Sequence, residues 1–344
     1  MKKSISITVI ILLLFLSSCV TFNEFPVEVY RPAKVTLPAE IKNITLVSRN
    51  MKYSNDTLQN YYSKDFKRIK DIVPVNIDSL SIQACFDSLS MKMQALNRFS
   101  KINVLPVSSL PRQYVNNINP PSRKLIQNIS SDTNADALIL LDMFSSFYSV
   151  YPNPDNGRSI AQVITASIWT IYDASKVQII NHTSLVDTLY WDGLDESQSY
   201  SASRIPNKKA ALKIAAGLVG IKYSKNIVPS WTTVYRQTLS GNKADFKQAA
   251  QLVKKNKWDE ASALWEKYAE STNKRYQMRA LYNLAVANEM NGDIDTATEL
   301  ISKASKISSS ASYATENKAI RKYSAVLAKR KIELNKINTM SYGL

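Results

Sequence analysis

The sequence predicts a mixed-sheet α/β (α+β) domain over residues 41–206, connecting helices at 207–240, and an all-α domain of paired helices over 241–337. Three observations predict it. Between Ile41 and Leu141, short β-branched runs alternate with helical apolar stripes. Two long alternating runs joined by a brief polar turn then read as an antiparallel hairpin. Past Pro206 the apolar positions recur at steps of three and four, with small residues among them.

The first nineteen residues read as an export signal. Lys2 and Lys3 precede an apolar run from Ile7 to Phe15, broken by Thr8, and Leu16-Ser17-Ser18-Cys19 closes it. Charge holds the start in the cytoplasm, the apolar run enters the translocon, and small residues admit a peptidase. At about 10–12 residues the run is short for a membrane span. Residues 1–18 are expected to be a signal peptide. Residues 19–40 carry Pro26, Pro32 and Pro38 and read as an extended tether.

Ile44-Thr45-Leu46-Val47 is the first expected strand, and residues 50–78 are expected to be a long loop. Ile82, Cys85, Phe86, Leu89, Met93 and Leu96 mark one helix face. Ile102 to Leu105 is a second strand, and Leu125, Ile126 and Ile129 suggest a short helix started by Pro120 and Pro121. Ala137 to Leu141 is apolar without alternation, which suits a central strand covered on both faces. In the hairpin, Val163, Thr165, Ser167, Trp169 and Ile171 share one face. The return strand puts Val177, Ile179, Leu185, Leu189 and Trp191 on one face, after a turn at Asp173-Ala174-Ser175-Lys176.

Residues 192–206 read as a polar loop. Asn207 is expected to cap a helix through Ala210, Ala211, Ile214, Ala215, Leu218 and Val219. Gly217 and Gly220 sit three apart in it, where a neighbouring element can approach closely. After Pro229, the spacing of Trp231, Val234, Tyr235 and Leu239 predicts a second helix. Residues 316–337 form a final helix with Ile320, Tyr323, Leu327, Ile332 and Leu334.

Leu281, Leu284, Ala285, Gly292-Asp293, Ala297, Ile301 and Ala304 resemble one tetratricopeptide repeat. Small residues at a helix crossing let large ones interlock on either side. Ala249, Leu252, Asn256, Trp258, Ala261, Leu264, Trp265 and Tyr268 resemble a degenerate copy, with Trp258 corresponding to Ile294. The second domain is therefore read as tetratricopeptide-like repeats with residues 316–337 as the cap. Such arrays take partners on the surface of their first helices, which implies Tyr282, Asn283, Val286 and Glu289 as a contact region for an envelope protein or peptide.

Cys19 directly after Leu-Ser-Ser resembles a bacterial lipobox, which implies lipidation of Cys19 and a membrane anchor. The absence of Asp after Cys19 resembles outer-membrane sorting, with a periplasmic face, and the sheet domain is expected to stand near the membrane. Together with Tyr223, Pro229-Ser230-Trp231, Val234-Tyr235-Arg236 and the paired helices, this resembles an uncharacterised family of Bacteroidota-type lipoproteins. That likeness implies no activity. The sheet domain is loosely similar in topology to envelope domains of the TolB amino-terminal and curli-secretion lipoprotein kind.

Composition narrows the partners. The chain has 344 residues, is 45% hydrophobic and carries a net charge of +16. An exported chain does not meet the genome, so nucleic acid is not an expected partner. Anionic lipid head groups and acidic proteins are. Lys318, Arg321, Lys322, Lys329, Arg330, Lys331 and Lys336 crowd the last helix and make a candidate basic face, or the polar outside of a cap. With Cys19 used for lipid, Cys85 is left alone, so no intramolecular disulfide is expected, and Cys85 reads as a buried apolar residue.

Catalytic signatures are missing. His182 is the single histidine, which excludes a zinc site of several imidazoles. Neither GxGxxG nor GxxxxGK[ST] occurs. No cofactor, metal or catalytic residue is expected. Asp142 directly follows the most apolar strand, and Asp192, Asp195 and Glu196 gather in a loop without calcium-loop spacing. The expected role is a non-enzymatic contact module. An envelope enzyme acting on glycan, peptide or lipid through Asp142 or Asp192 is the alternative, and it requires acids that converge in a cleft. A secretion or assembly subunit using the hairpin at 163–191 is a third.

Overall fold

The computed structural model describes residues 22–55, 61–70, 76–307 and 313–339. It has a mixed α/β sheet region followed by a helical region. Pro32–Ser230 make up one compact unit, and Trp231–Lys336 with the segment ending at Arg31 make up the other. Cys19 lies outside the described residues.

The sheet unit holds strands β2 (Asn43–Tyr53), β3 (Tyr61–Lys64), β4 (Lys67–Lys70), β5 (Lys101–Val104), β6 (Gln113–Val115), β7 (Ala137–Pro152), β8 (Ser159–Asp173) and β9 (Gln178–Trp191). Its helices are α1 (Asn76–Gln94), α2 (Arg123–Thr133) and α3 (Lys208–Ser224). The long strand β7 organises it. One edge of β7 runs antiparallel to β8, which pairs in turn with β9. Its other edge pairs in parallel with β2 and, further along, with β3. β5 and β6 follow β2 in parallel. The loop expected over 50–78 contains the short β3–β4 hairpin.

Ala137 to Leu141 are all at most 1% exposed, as an unalternating central run requires. On one side Ile139 and Leu141 meet α1 and α3 through Phe86, Leu89, Ala216, Val219 and Tyr223. On the other, Leu138 and Leu140 meet α2 through Ile126 and Ile129. Trp169 stacks on Tyr223 with ring centroids 4.0 Å apart, and its indole N–H donates to Ser167 at 2.9 Å. The return strand differs from expectation at Ile179, which is half exposed. The ladder shifts between Ile171, opposite Asn181, and Tyr172, opposite Ile179, so Ile180 turns inward instead.

Cys85 is completely buried between α1 and its neighbours, and burial pushes its thiol well above the usual range. In the native protein it is expected to resist a thiol reagent such as dithionitrobenzoate and to react fully once urea is added. Rapid native labelling would contradict this packing.

The helical unit holds β1 (Phe22–Arg31), β10 (Ser230–Leu239), α4 (Ala244–Lys254), α5 (Trp258–Glu266), α6 (Lys274–Met290), α7 (Ile294–Ile307) and α8 (Ala314–Thr339). Two expectations fail here. Residues 22–31, read within a tether, form β1, and the helix read through Trp231 and Leu239 is β10. The two make a two-stranded ribbon. Tyr30 meets Trp231, Glu28 meets Thr233 and Glu24 meets Gln237, so numbering falls on one strand as it rises on the other and the pair is antiparallel. Pro26 is tolerated because a ribbon strand has one edge without a ladder partner. The first described residues therefore belong to the helical unit, not to the sheet unit.

The helix pairs repeat. Asn256 and Gly292, both with positive φ, close α4 and α6, and α5 and α7 then begin at Trp258 and Ile294. Ala249, Ala261, Ala285, Ala297 and Ala304 are all fully buried in one core with Trp265, Met278 and Leu327. Small side chains let the helix axes approach, and the large ones fill the space beside them.

Candidate functional site

Local sequence sets the first helix of the second pair. Asn273 caps α6 by accepting from the backbone N–H groups of Arg275 and Tyr276. One face of α6 then meets the ribbon. Asn283 accepts from the Leu239 N–H at 2.7 Å and donates to the Leu239 carbonyl at 2.8 Å, replacing a strand partner at the end of β10. Glu289 accepts two hydrogen bonds from Arg236, at 2.7 and 2.6 Å, and one from the Tyr323 hydroxyl at 2.7 Å. Arg279 bridges the Ser240 carbonyl, at 2.8 Å, and Glu316 of α8, at 2.7 Å. Bidentate pairing of this kind is the strong class of charged hydrogen bond.

The electrostatics follow from burial. Burial opposes the Arg236 charge, but the hydrogen bonds and charge of Glu289 outweigh it and raise its pKa. Burial, reinforced by the Glu289 charge, holds the Tyr323 hydroxyl well above the usual range. Tyr282 is raised by burial as well, against the pull of Arg236. A small cavity of about 150 Å³ lies beside the cluster, lined by Glu24, Tyr235, Arg236, Tyr282, Lys322 and Tyr323. The arrangement is a neutralised clamp. Its carboxylate accepts three hydrogen bonds, and both of its phenols are shifted away from ionisation.

The predicted contact region is thus brought together but not left open. Tyr282, Asn283, Val286 and Glu289 are 3%, 1%, 0% and 7% exposed. Tyr282 packs on Tyr323 with ring centroids 5.2 Å apart. The ribbon and α8 cover this face of α6. Arg236, Arg279 and Tyr323, which complete the clamp, were not singled out by sequence as site residues.

The basic face is also smaller than expected. Lys318, Arg321, Lys322 and Lys329 are exposed. Arg330 is buried, donating to the Tyr30 carbonyl at 3.0 Å and to Glu333 at 2.6 Å. Lys331 pairs with Asp295 at 2.6 Å. A buried side chain with acceptors on the ribbon and on its own helix is a fastening, not a surface charge.

In the sheet unit, Asp142 is buried between Arg49, at 2.7 Å, and the Thr170 hydroxyl, at 2.6 Å. Thr170 also meets Nδ1 of His182 at 2.8 Å, while the imidazole itself is exposed on β9. Asp192 follows Trp191, which pairs with Ala161, whereas Asp142 touches Thr170. Those positions on β8 are nine residues apart, roughly 30 Å of strand, so the two acids do not converge. Asp195 is occupied by Ser197, Ser199 and Arg204. Those hydrogen bonds, Ser197 first, hold its carboxyl below the usual range. Among the described residues no group of three or more His, Cys, Asp or Glu is placed to hold a metal, and no helix is long and apolar enough to cross a membrane.

Residues 41–238 match a family described as Domain of unknown function (DUF8603), and residues 247–329 match Domain of unknown function (DUF6340). No curated protein matches the chain. Among solved structures it is similar to a dodecamer of a PelC point variant from Paraburkholderia phytofirmans. That protein is 10% identical over 59% of this chain and 98% of its own, with a TM-score of 0.25. It is also similar to a Xanthomonas campestris protein assigned to DUF330, 10% identical over 58% of this chain and 93% of that one, with a TM-score of 0.28. With more than half of its length matched by the first of the two domain families, the chain belongs to the DUF8603 family, a domain of unknown function.

Proposed function

We propose that this chain is a Bacteroidota-type lipoprotein, acylated at Cys19 and held on the periplasmic side of the outer membrane, where it acts without catalysis as a protein-contact module. The pairs α4–α5 and α6–α7 are read as two tetratricopeptide-like repeats capped by α8. The matching positions of Asn256 and Gly292, and of Trp258 and Ile294, support that reading. The face on which such arrays take an extended partner is filled by the chain's own ribbon. The contact surface for an envelope protein or peptide is then the outward face of that ribbon.

One observation carries this. Trp231 and Tyr235 are 64% and 65% exposed, and four residues apart on a strand they share a face. Exposed aromatic rings grouped on one face are the usual anchors of protein interfaces. The ribbon also keeps an open edge, since each of its strands has one partner among the described residues.

Labelled palmitate fed to cells tests the anchor, and in-cell crosslinking followed by pull-down tests the surface. Label is expected at Cys19. A defined envelope protein is expected to crosslink to the natural chain, and recovery is expected to fall roughly tenfold or more in Trp231→Ala with Tyr235→Ala. Equal recovery from both chains would overturn the surface, and a Cys19 without label would overturn the anchor.

A further inference from the structure

Phe22 opens β1 three residues after Cys19. Three residues of extended chain reach about 10 Å. Whatever holds Cys19 therefore holds that end of the ribbon within the same distance. The ribbon is antiparallel, so Phe22 lies at the Leu239 end of β10.

The same pole gathers the first turns of three helices. Arg279 of α6 donates to the Ser240 carbonyl just beyond β10. The Lys243 ammonium, at the start of α4, stands 5.8 Å from the centre of the Tyr276 ring. Arg275 lies over the Tyr313 ring at 5.6 Å and reaches Glu316 in the first turn of α8. Lys243, Lys247, Lys274 and Lys318 are exposed at or near this pole. None of these four is within ion-pair distance of an acid among the described residues. Of the nearby carboxylates, Asp245 is engaged by Lys267 at 3.5 Å and by Tyr268 at 3.1 Å, and Glu316 by Arg279 at 2.7 Å, while Glu24 meets only the Gln237 amide at 3.3 Å and Glu270 is exposed. The four lysines outnumber these last two acids, so the end of the unit that leads to Cys19 carries a net excess of positive charge.

We propose that this pole lies on the anionic phospholipid surface of the membrane that anchors Cys19, with Lys243, Lys247, Lys274 and Lys318 against the head groups. The proposal rests on the acylation proposed above for its geometry, and on charge complementarity for its occupant. Each lysine close to an anionic leaflet strengthens attachment by about fivefold at physiological salt. Acyl chain and basic pole then act at one point, and the helical unit is seated on the membrane instead of hanging from a tether. Seating at that end leaves the opposite end of the ribbon, at Tyr30 and Trp231, directed away from the lipid.

The test uses the full mature chain with Cys19→Ser, so that no acyl chain masks the contact. Its sedimentation with phosphatidylcholine vesicles is compared with that on vesicles containing phosphatidylglycerol. Binding is expected only to the anionic vesicles, and is expected to weaken about 100-fold or more when Lys243, Lys247, Lys274 and Lys318 are all changed to Glu. A chain with the same change in net charge placed elsewhere, at Lys254, Lys255, Lys329 and Lys331, is expected to lose much less. Equal losses from the two variants, or no loss from the first while its circular dichroism stays native, would overturn the proposal. The palmitate label scores acylation separately, so loss of the anchor and loss of the basic contact are different results.

Discussion

Replacing Glu289 with alanine is expected to destabilise the helical unit by ~3–5 kcal/mol, the largest loss at any single side chain of the clamp. The size follows from what remains. The Arg236 side chain is 7% exposed and the Tyr323 hydroxyl is buried, so the substitution strands a guanidinium and a phenol away from water. With a urea dependence of about 2 kcal/mol per molar, the helical transition seen by circular dichroism would move down by ~1.5–2.5 M. A second variant separates lost charge pairing from lost shape. Glu289→Leu combined with Arg236→Met and Tyr323→Phe removes Glu289 and both of its partners' polar ends, and is expected to recover most of the deficit. A fall of under ~0.5 M for the alanine variant would mean that the ribbon is not fastened through this contact.

The clamp also marks the boundary of what local sequence can say. Apolar spacing on α1, the unalternating run in β7 and the two-face alternation of β8 were legible, because each follows a period that the element itself imposes. Leu281, Leu284, Ala285 and Ala297 were legible for the same reason. The ribbon was not. Trp231, Tyr235 and Leu239 stand four apart, and a step of four keeps one face on a helix and on a strand alike. What separates the two is the β-branched stretch Thr232-Thr233-Val234 and a partner strand some two hundred residues earlier in the chain. β1 was obscured by Pro26, which suits a tether and an open strand edge equally well. Once the ribbon is missed, the outward face of α6 cannot be told from a free surface. Tyr282, Val286 and Glu289 do share that face, but its occupant comes from the two ends of the unit. Arg330 shows the same limit: its position among lysines reads as surface charge, and only the fold supplies the Tyr30 carbonyl that buries it.

Gly220→Ala and Gly217→Ala are expected to act in opposite directions, although they lie one helical turn apart on α3. In an uncrowded helix, alanine is favoured over glycine by ~1 kcal/mol, so intrinsic propensity favours both substitutions equally. Space decides between them. A Cβ on Gly220 would meet the Cys85 carbonyl oxygen at 2.1 Å, the Cys85 carbonyl carbon at 3.0 Å and the Leu89 nitrogen at 3.2 Å. These are backbone atoms of α1, and they move only if the helix moves. A Cβ on Gly217 would meet the Ser88 hydroxyl oxygen at 3.1 Å, the end of a side chain that can rotate away. Forcing α1 from α3 disturbs the core that Phe86, Leu89, Val219 and Tyr223 share against Trp169, a class of overpacking that costs about 1–3 kcal/mol. The cost here outruns the gain in propensity, because no rotamer relieves it. Gly220→Ala is expected to lower the thermal midpoint of the sheet unit by several degrees, and Gly217→Ala to leave it unchanged or raise it slightly. Trp169 stacks on Tyr223 of α3, so its fluorescence, read in a chain whose other four tryptophans are changed to Phe, is expected to shift in the first variant alone. Equal behaviour of the two would mean that α1 and α3 do not meet through their backbones at Gly220.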